Sequence, residues 1–346
     1  MINTTGRNAK HVVHLTCSDA FAGVERYVSL LAPCQVERGW RVTVIGGAPE
    51  PMSRALEGTG ARFIPAASLR SGRAALRSIS PADIVNTHMS QADLAGIMAT
   101  PTSPARLVST RHFAAPRGRS PAVRAAFSVA RSRFAAQIAI SHFVAGNIGE
   151  PSSVVHTGVT NAPAGECARP IVLMAQRLEP EKATHVAIAA WAASRAPADG
   201  WELHIAGDGR ERERLEQQAQ TLGVGRSVRF LGHQDHVRAL MPEAGLFLAP
   251  TAREGLGLSV LEAMACALPV VASASGGHAE TIGSVTGALL FRPGDVEEAA
   301  RQIDFAVAHA DARRQYGLRA RNVQRERFTV RSQAEATLAV YEGCLT

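Results

Sequence analysis

The run REGLGLSVLEAMACALPVVAS, Arg253 to Ser273, decides how this chain is to be read. Glu254 ends a loop that follows an apolar strand-like segment. Gly255 and Gly257 then let the backbone pass close to a ligand. A helix begins at once, near Leu258 or Ser259, and its free N–H groups and positive dipole end suit a diphosphate. Glu262 stands eight residues after Glu254, within the first turns of that helix. A carboxylate beside phosphates would repel them, so its natural partners are hydroxyls, with a ribose diol the first candidate. A capped helix with turn glycines would account for any one of these residues, but the length of the contiguous pattern favours a ligand site.

Working outward, a second block, AQRLEPEKATHVAIAAWA, runs from Ala175 to Ala192. Arg177 and Lys182 follow a strand's carboxyl end, where open α/β sheets bind ligands. Two cations five residues apart can neutralise a diphosphate and the charge that develops as it leaves. The chain has 37 basic residues, of which only Lys10 and Lys182 are lysines. A lysine where arginine is the default cation points to a compact charge rather than a solvated surface residue.

Around these blocks, short apolar runs alternate with helical stretches, which predicts parallel sheets covered on both faces. In the first half, strands are expected at His11–Thr16, Arg41–Ile45, Arg62–Ile64, Asp83–Asn86, Leu107–Thr110, Gln137–Ile140 and Ser153–His156. A helix is expected from Pro121 to Gln137, capped by Ser120. The Gly- and Pro-rich loop at 158–170 reads as a linker. Alternation then restarts with strands at Ile171–Ala175, Trp201–Ala206, Ser227–Leu231, Leu246–Ala249 and Pro269–Ala272, and the chain ends helically.

With these motifs in hand, the chain resembles family 4 (group 1) of the glycosyltransferases. Glu254 and Glu262 match its paired-glutamate signature, Arg177 and Lys182 its donor-site cations, and SDAFAGVERYVSLLA (18–32) its amino-terminal loop and helix, with Ala22 in place of the first glycine. HTGV at 156–159 departs from the family's usual turn. The resemblance implies a GT-B fold: two Rossmann-like α/β domains whose parallel sheets face one another across a cleft. The expected division is an acceptor-side domain at 1–163, a nucleotide-sugar domain at 164–327, and a closing helix at 328–346 that crosses back to the first. The implied activity is retaining transfer of a sugar from a nucleoside diphosphate sugar to a hydroxyl acceptor. By resemblance, Glu254 contacts the transferred sugar, Arg177 and Lys182 the phosphates, and Glu262 the ribose. Gly23 and the amides of Gly255, Leu256 and Gly257 lie near the donor. His112, after the fifth strand, is the preferred histidine beside the sugar hydroxyls; His88 is the weaker candidate. The GDG turn at 207–209 reads as chiefly conformational.

Composition bounds the alternatives. With 46% hydrophobic and 19% charged residues the chain is an ordinary globular mix. No membrane-length apolar run and no leader-like start occur, so the expectation is cytoplasmic. Five cysteines at long spacings predict neither a disulfide framework nor a zinc site. No DxD motif is present, so no cofactor and no metal are expected. The absence of a complete GxGxxG weighs against a Rossmann oxidoreductase, and Glu254, Arg177 and Lys182 together weigh against a nucleotide-sugar binder without catalysis. Charge is uneven: residues 1–165 carry 17 Lys and Arg against 8 Asp and Glu, while the rest is slightly acidic. Arg70, Arg73 and Arg77 fall on one helical face opposite Leu69, Leu76 and Ile79, a short basic amphipathic stretch. The expected partners are therefore a nucleotide-sugar and an anionic or lipid-linked acceptor, with peripheral contact at the inner membrane face and no nucleic acid.

Overall fold

The fold follows from two sets of short strands rich in apolar residues, the central ones buried on both faces. In the computed structural model, which describes residues 9–79, 81–99, 104–118, 124, 127, 129–166, 168–234 and 236–346, these strands form two all-parallel sheets. The chain divides into two compact units, one of residues 1–158 and 330–346, the other of residues 159–329.

The first unit orders its seven strands β3-β2-β1-β4-β5-β6-β7. They are β1 (His11–Leu15), β2 (Arg41–Ile45), β3 (Arg62–Ile64), β4 (Ile84–His88), β5 (Arg106–Arg111), β6 (Phe134–Ala139) and β7 (Ser153–Val154). Helices α1 (Gly23–Glu37), α2 (Pro49–Leu56), α3 (Leu69–Ser78), α4 (Ser90–Ala99) and α5 (His142–Ile148) connect them. Odd-numbered residues of β1, Val13 and Leu15, enter an apolar cluster with Leu76 of α3 and Ala92 and Ala95 of α4.

One expectation fails here. The helix foreseen from Pro121 to Gln137 does not reach Gln137: a short 3-10 turn at Arg131–Arg133 gives way to β6 at Phe134, in register with Leu107 of β5. Ladder pairing with β5 outweighs the helical spacing of the apolar residues. Ser120, Pro121 and Val123 lie outside the described residues.

The basic stretch of this half is also not one surface. Arg117 is 3% exposed, its Nε 2.6 Å from Asp93 of α4 and its Nη1 2.8 Å from Glu150. Its guanidinium lies over the rings of Phe127 and Phe134. Thr87 and Ser109 donate to the same Asp93 carboxylate. Arg111 is buried as well, 3.6 Å from Glu150. These two arginines neutralise interior carboxylates, while Arg106, Arg124, Arg131 and Arg133 remain exposed. On α3, Arg70 and Arg77 are exposed, but Arg73 is half-buried with its Nε closed off from solvent.

The second unit orders six strands β10-β9-β8-β11-β12-β13. They are β8 (Arg169–Ala175), β9 (Glu202–Ala206), β10 (Val228–Gly232), β11 (Ala244–Ala249), β12 (Val270–Ser273) and β13 (Leu289–Phe291). Its helices are α6 (Thr184–Ala193), α7 (Arg212–Thr221), α8 (Leu258–Ala265), α9 (Gly277–Glu280), α10 (Val296–Ala308) and α11 (Ala310–Arg327). The order of strands reverses between β8 and β11, so the loops leaving both strands converge at the position where such sheets bind ligands. The last helix, α12 (Val330–Leu345), belongs to the first unit and packs on α1.

Candidate functional site

The loops after β8 and β11 build the site of the second unit. After β8 the chain runs through Gln176 to a 3-10 turn at Pro180–Lys182. Gln176 fastens this loop: its Nε2 donates to the Lys182 carbonyl at 3.0 Å and lies 2.9 Å from the Thr184 hydroxyl. Thr251, after β11, donates to Gln176 Oε1 at 3.2 Å and so ties the two loops together. The GDG turn braces the same loop, with the Leu178 N–H donating to the Asp208 carbonyl at 2.9 Å.

This scaffold sets Lys182 Nζ 2.6 Å from Glu254 Oε2. Both side chains are about four-fifths covered, at 19% and 25% exposure, so the pair is neither a free surface contact nor sealed from ligand. Burial pushes the Glu254 carboxyl up, but the Lys182 ammonium and its hydrogen bond outweigh it and hold the group below its usual range. Glu254 is therefore an anion at neutral pH. The Gly255 N–H also donates to Glu254 Oε1 at 3.2 Å.

From Glu254 the backbone passes through Gly255 and the buried Leu256 to Gly257, whose φ of +93° is a left-handed turn that opens directly into α8. Gly277, at the start of α9, seats against this segment. Its N–H donates to the Glu254 carbonyl at 2.8 Å, and a Cβ there would collide with Leu256 Cα. Glu262 is buried one turn into α8, at 8% exposure. Arg177 is not drawn into the pair: it is exposed and sits 3.2 Å from Glu181, also exposed.

Two residues of this site escaped the sequence reading. Gln176 is one. The other is His278, fully buried beside Glu254, with its ring edge 3.0 Å from where a Cβ on Gly257 would stand. Burial holds its imidazole below the ordinary range against the pull of Glu254. The Gly276-Gly277 pair just after β12 was the available signal, since adjacent glycines after a strand mark a close backbone approach.

In the first unit, Gly23 is exposed at the first turn of α1, and Glu25 caps that turn by accepting from the Ala22 N–H at 3.0 Å and the Ser18 hydroxyl at 2.5 Å. His112 follows β5 and is joined to two further histidines. His14 Nδ1 lies 3.0 Å from His88 Nε2, and His88 Nδ1 lies 2.9 Å from His112 Nε2. The far end of the file, His14 Nε2, meets the Gln35 side-chain amide at 2.7 Å. Tyr27 packs edge-on against His112. Desolvation lowers all three rings, His14 to about 4 and His112 to about 3.

Comparison with known proteins bears on both units. Residues 21–161 match the family described as Glycosyltransferase Family 4, and residues 165–323 the family described as Glycosyl transferases group 1. The chain is 34% identical over 171 residues to the 2-deoxystreptamine N-acetyl-D-glucosaminyltransferase of Streptomyces fradiae, covering 48% of this chain and 40% of that protein. It is 34% identical over 172 residues to a glycogen synthase of Mycobacterium tuberculosis, covering 49% and 42%. The matches thus span about two-fifths of these relatives' length. Among solved structures, a glycosyltransferase from Rickettsia africae superposes with a TM-score of 0.81 at 17% identity, over 98% of this chain and 100% of the other. Anabaena HepE, crystallised with UDP and glucose, gives 0.80 at 20% identity, over 96% and 99%.

The histidine file carries a consequence for stability. A histidine buried neutral has a folded value below its unfolded one, so the unfolded state binds more protons as pH falls, and the stability present above about 6.5 is progressively lost. Each such ring costs about 2 kcal/mol between pH 6.5 and 5. The melting temperature should drop steeply over that interval. A melting temperature flat from pH 7 to 5 would show that these rings are not held neutral.

Proposed function

The chain belongs to the group 1, family 4 glycosyltransferases, and we propose that it moves a sugar, with retention of anomeric configuration, from a nucleoside diphosphate sugar to a hydroxyl acceptor. The observation that carries this reading is the Lys182–Glu254 pair set against the start of α8, at the strand-order reversal of the second sheet. A cation, an anion and the backbone amides leading into a helix converge there, which is what a sugar joined to a diphosphate presents in reverse: hydroxyls for the carboxylate, phosphates for the ammonium and the amides.

In this reading Glu254 accepts from hydroxyls of the transferred sugar. Lys182 neutralises the diphosphate, and the amides of Gly255, Leu256 and Gly257 receive its oxygens. Arg177 exchanges its weak, solvated contact with Glu181 for phosphate. Glu262 takes the ribose diol. In the first unit, the family resemblance assigns exposed Gly23 to the donor and His112 to the sugar hydroxyls. With Glu262 engaged by ribose, two free carboxylates are not available for glycosidase-type chemistry. The acceptor attacks from the face that the diphosphate leaves, and the departing phosphate takes the acceptor's proton. UDP-sugars are the first donors to try, because HepE is crystallised with UDP and glucose.

Lys182→Ala and Glu262→Ala should each weaken binding of the nucleoside diphosphate product by roughly tenfold to a hundredfold, the worth of one charge-assisted contact. Calorimetry on the folded variants reads this directly. Unchanged affinity in both rejects the site. Tight donor binding without hydrolysis or transfer by the unaltered protein would favour a non-catalytic binder instead.

The phosphate charge is met here by Arg177, Lys182 and backbone amides, and the sequence offers no DxD pair to hold a divalent ion. Turnover should therefore survive EDTA. Complete loss, restored by manganese or magnesium, would overturn this assignment.

The acceptor is read as anionic or lipid-linked from the excess of basic residues in the first half and from exposed Arg70 and Arg77 on α3. No helix among the described residues is long and apolar enough to cross a membrane. Each basic residue near an anionic bilayer contributes about 1 kcal/mol. The full chain should co-sediment with anionic but not neutral vesicles at low salt, and Arg70→Ser/Arg77→Ser should reduce that binding. Indifference to both vesicle types assigns a soluble acceptor.

A further inference from the structure

The first unit carries a hydrogen-bonded file that reaches from its interior to His112. The even-numbered residues of β1 and β4, continued after β5, share one sheet face: His14, Asn86, His88, Thr110 and His112. The His14 and His88 rings stack with centroids 5.3 Å apart, and the His88 and His112 rings are tilted with centroids 5.2 Å apart. His14 and His88 are wholly buried, while His112 is 9% exposed, so the file surfaces at His112.

Counting protons constrains it. Three neutral rings carry three protons, and three contacts need one each: Gln35–His14, His14–His88 and His88–His112. Only two arrangements fill every contact. Either all protons point toward Gln35, leaving His112 Nδ1 a bare lone pair, or all point away from it, making His112 Nδ1 an N–H donor. The end that chooses is the Gln35 amide.

With its oxygen toward His14, the Gln35 nitrogen is buried without a partner. The Tyr341 hydroxyl of α12 lies beside that amide and already accepts from Asn86 Nδ2 at 2.6 Å. Asn86 is satisfied at both ends, since its Oδ1 accepts from Thr110 at 2.9 Å. The amide's two ends are nearly identical in shape, so the hydrogen-bonding demand of the surroundings decides their order. Turning Gln35 over gives both ends of the amide a partner. Tyr341 then donates to the Gln35 oxygen, and the Gln35 nitrogen donates to His14 Nε2.

We propose that Tyr341 and Gln35 are positioning residues that polarise the histidine file and hold His112 as the Nδ1–H tautomer, a neutral hydrogen-bond donor directed at an oxygen of the substrate. The role at substrate rests on the reading of His112 as the sugar-side histidine; the tautomer does not. The file is a holder rather than a proton wire, because the Gln35 amide at its inner end has no basic atom to take up a proton.

The test is long-range proton–nitrogen NMR of the full chain labelled with 15N-histidine, at pH 7, with His112 assigned from the His112→Asn variant. The expected result is one tautomer, Nδ1 protonated and Nε2 not. An unprotonated Nδ1, or shifts averaged between the two forms, overturns the proposal. Tyr341→Phe removes the proton that orders Gln35, and Gln35→Leu removes the amide. Each should move His112 toward the other tautomer or an average, and a pattern unmoved by both overturns their role. In donor hydrolysis, Tyr341→Phe should lower kcat several-fold with KM little changed. If the tautomer is as expected and Tyr341→Phe shifts it without touching turnover, the file stands and the sugar-side reading of His112 fails.

Discussion

A parallel sheet buried on both faces leaves polar groups two places to stand: at the carboxyl ends of its strands, or inside with every hydrogen bond made. Both units obey this constraint, and their chemistry differs because they use different options. The second unit places its charges beyond the ends of β8 and β11, where Lys182 and Glu254 meet with about a fifth of each side chain still in reach of solvent. The first threads imidazoles through the interior of the sheet face and lets only the last of them surface. One arrangement keeps full charges ready for a charged ligand. The other requires neutrality, because a buried imidazolium between two other rings would have no counter-ion.

The supports behind these groups are as informative as the groups. Gln176 holds the Lys182 carbonyl, Thr251 holds Gln176, and Gly277 holds the carbonyl of Glu254. None of the three carries charge, yet together they fix where the ammonium and carboxylate stand. A site positioned this way meets its ligand with little left to reorganise, which is where preorganised electrostatics gains its advantage over water. In the first unit α12, the last element of the chain, supplies Tyr341 to the interior of a sheet built mostly from the first 158 residues. The terminal helix is thus part of the polar core and not an appendage.

Much of this was legible before any coordinates. The alternation of short apolar runs with helical stretches locates most strands and helices, and the blocks at Ala175–Ala192 and Arg253–Ser273 locate Lys182 and Glu254, because glycines and charges at a strand end have few other uses. What stayed hidden was set by partners distant in sequence. Phe134 begins a strand because Leu107 stands in register beside it, and no local pattern reports that. Arg111 and Arg117 count toward the basic excess of the first half, but their partners, Asp93 and Glu150, lie 24 or more residues away. His14 gave no signal at all in HVVHL, since its meaning comes from His88, 74 residues later.

Arg117 and Lys182 together explain the chain's choice of cation. Arg117 is held by two carboxylates on separate nitrogens of its planar fork, with two aromatic rings beside it, while its buried Nη2 is left without a partner. A guanidinium rewards such an environment because its donors are rigid and several. That environment is also a buried one, with Arg117 only 3% exposed. Lys182 has one carboxylate, at 2.6 Å, and an ammonium with three donors that rotate. Two of those donors remain available while Glu254 holds the third. Under the proposed donor role, an arginine at position 182 would bring a fork suited to gripping Glu254 with two bonds, leaving fewer donors for a phosphate. In a chain that otherwise uses arginine almost without exception, the lysine at 182 holds one carboxylate with a compact, rotatable ammonium.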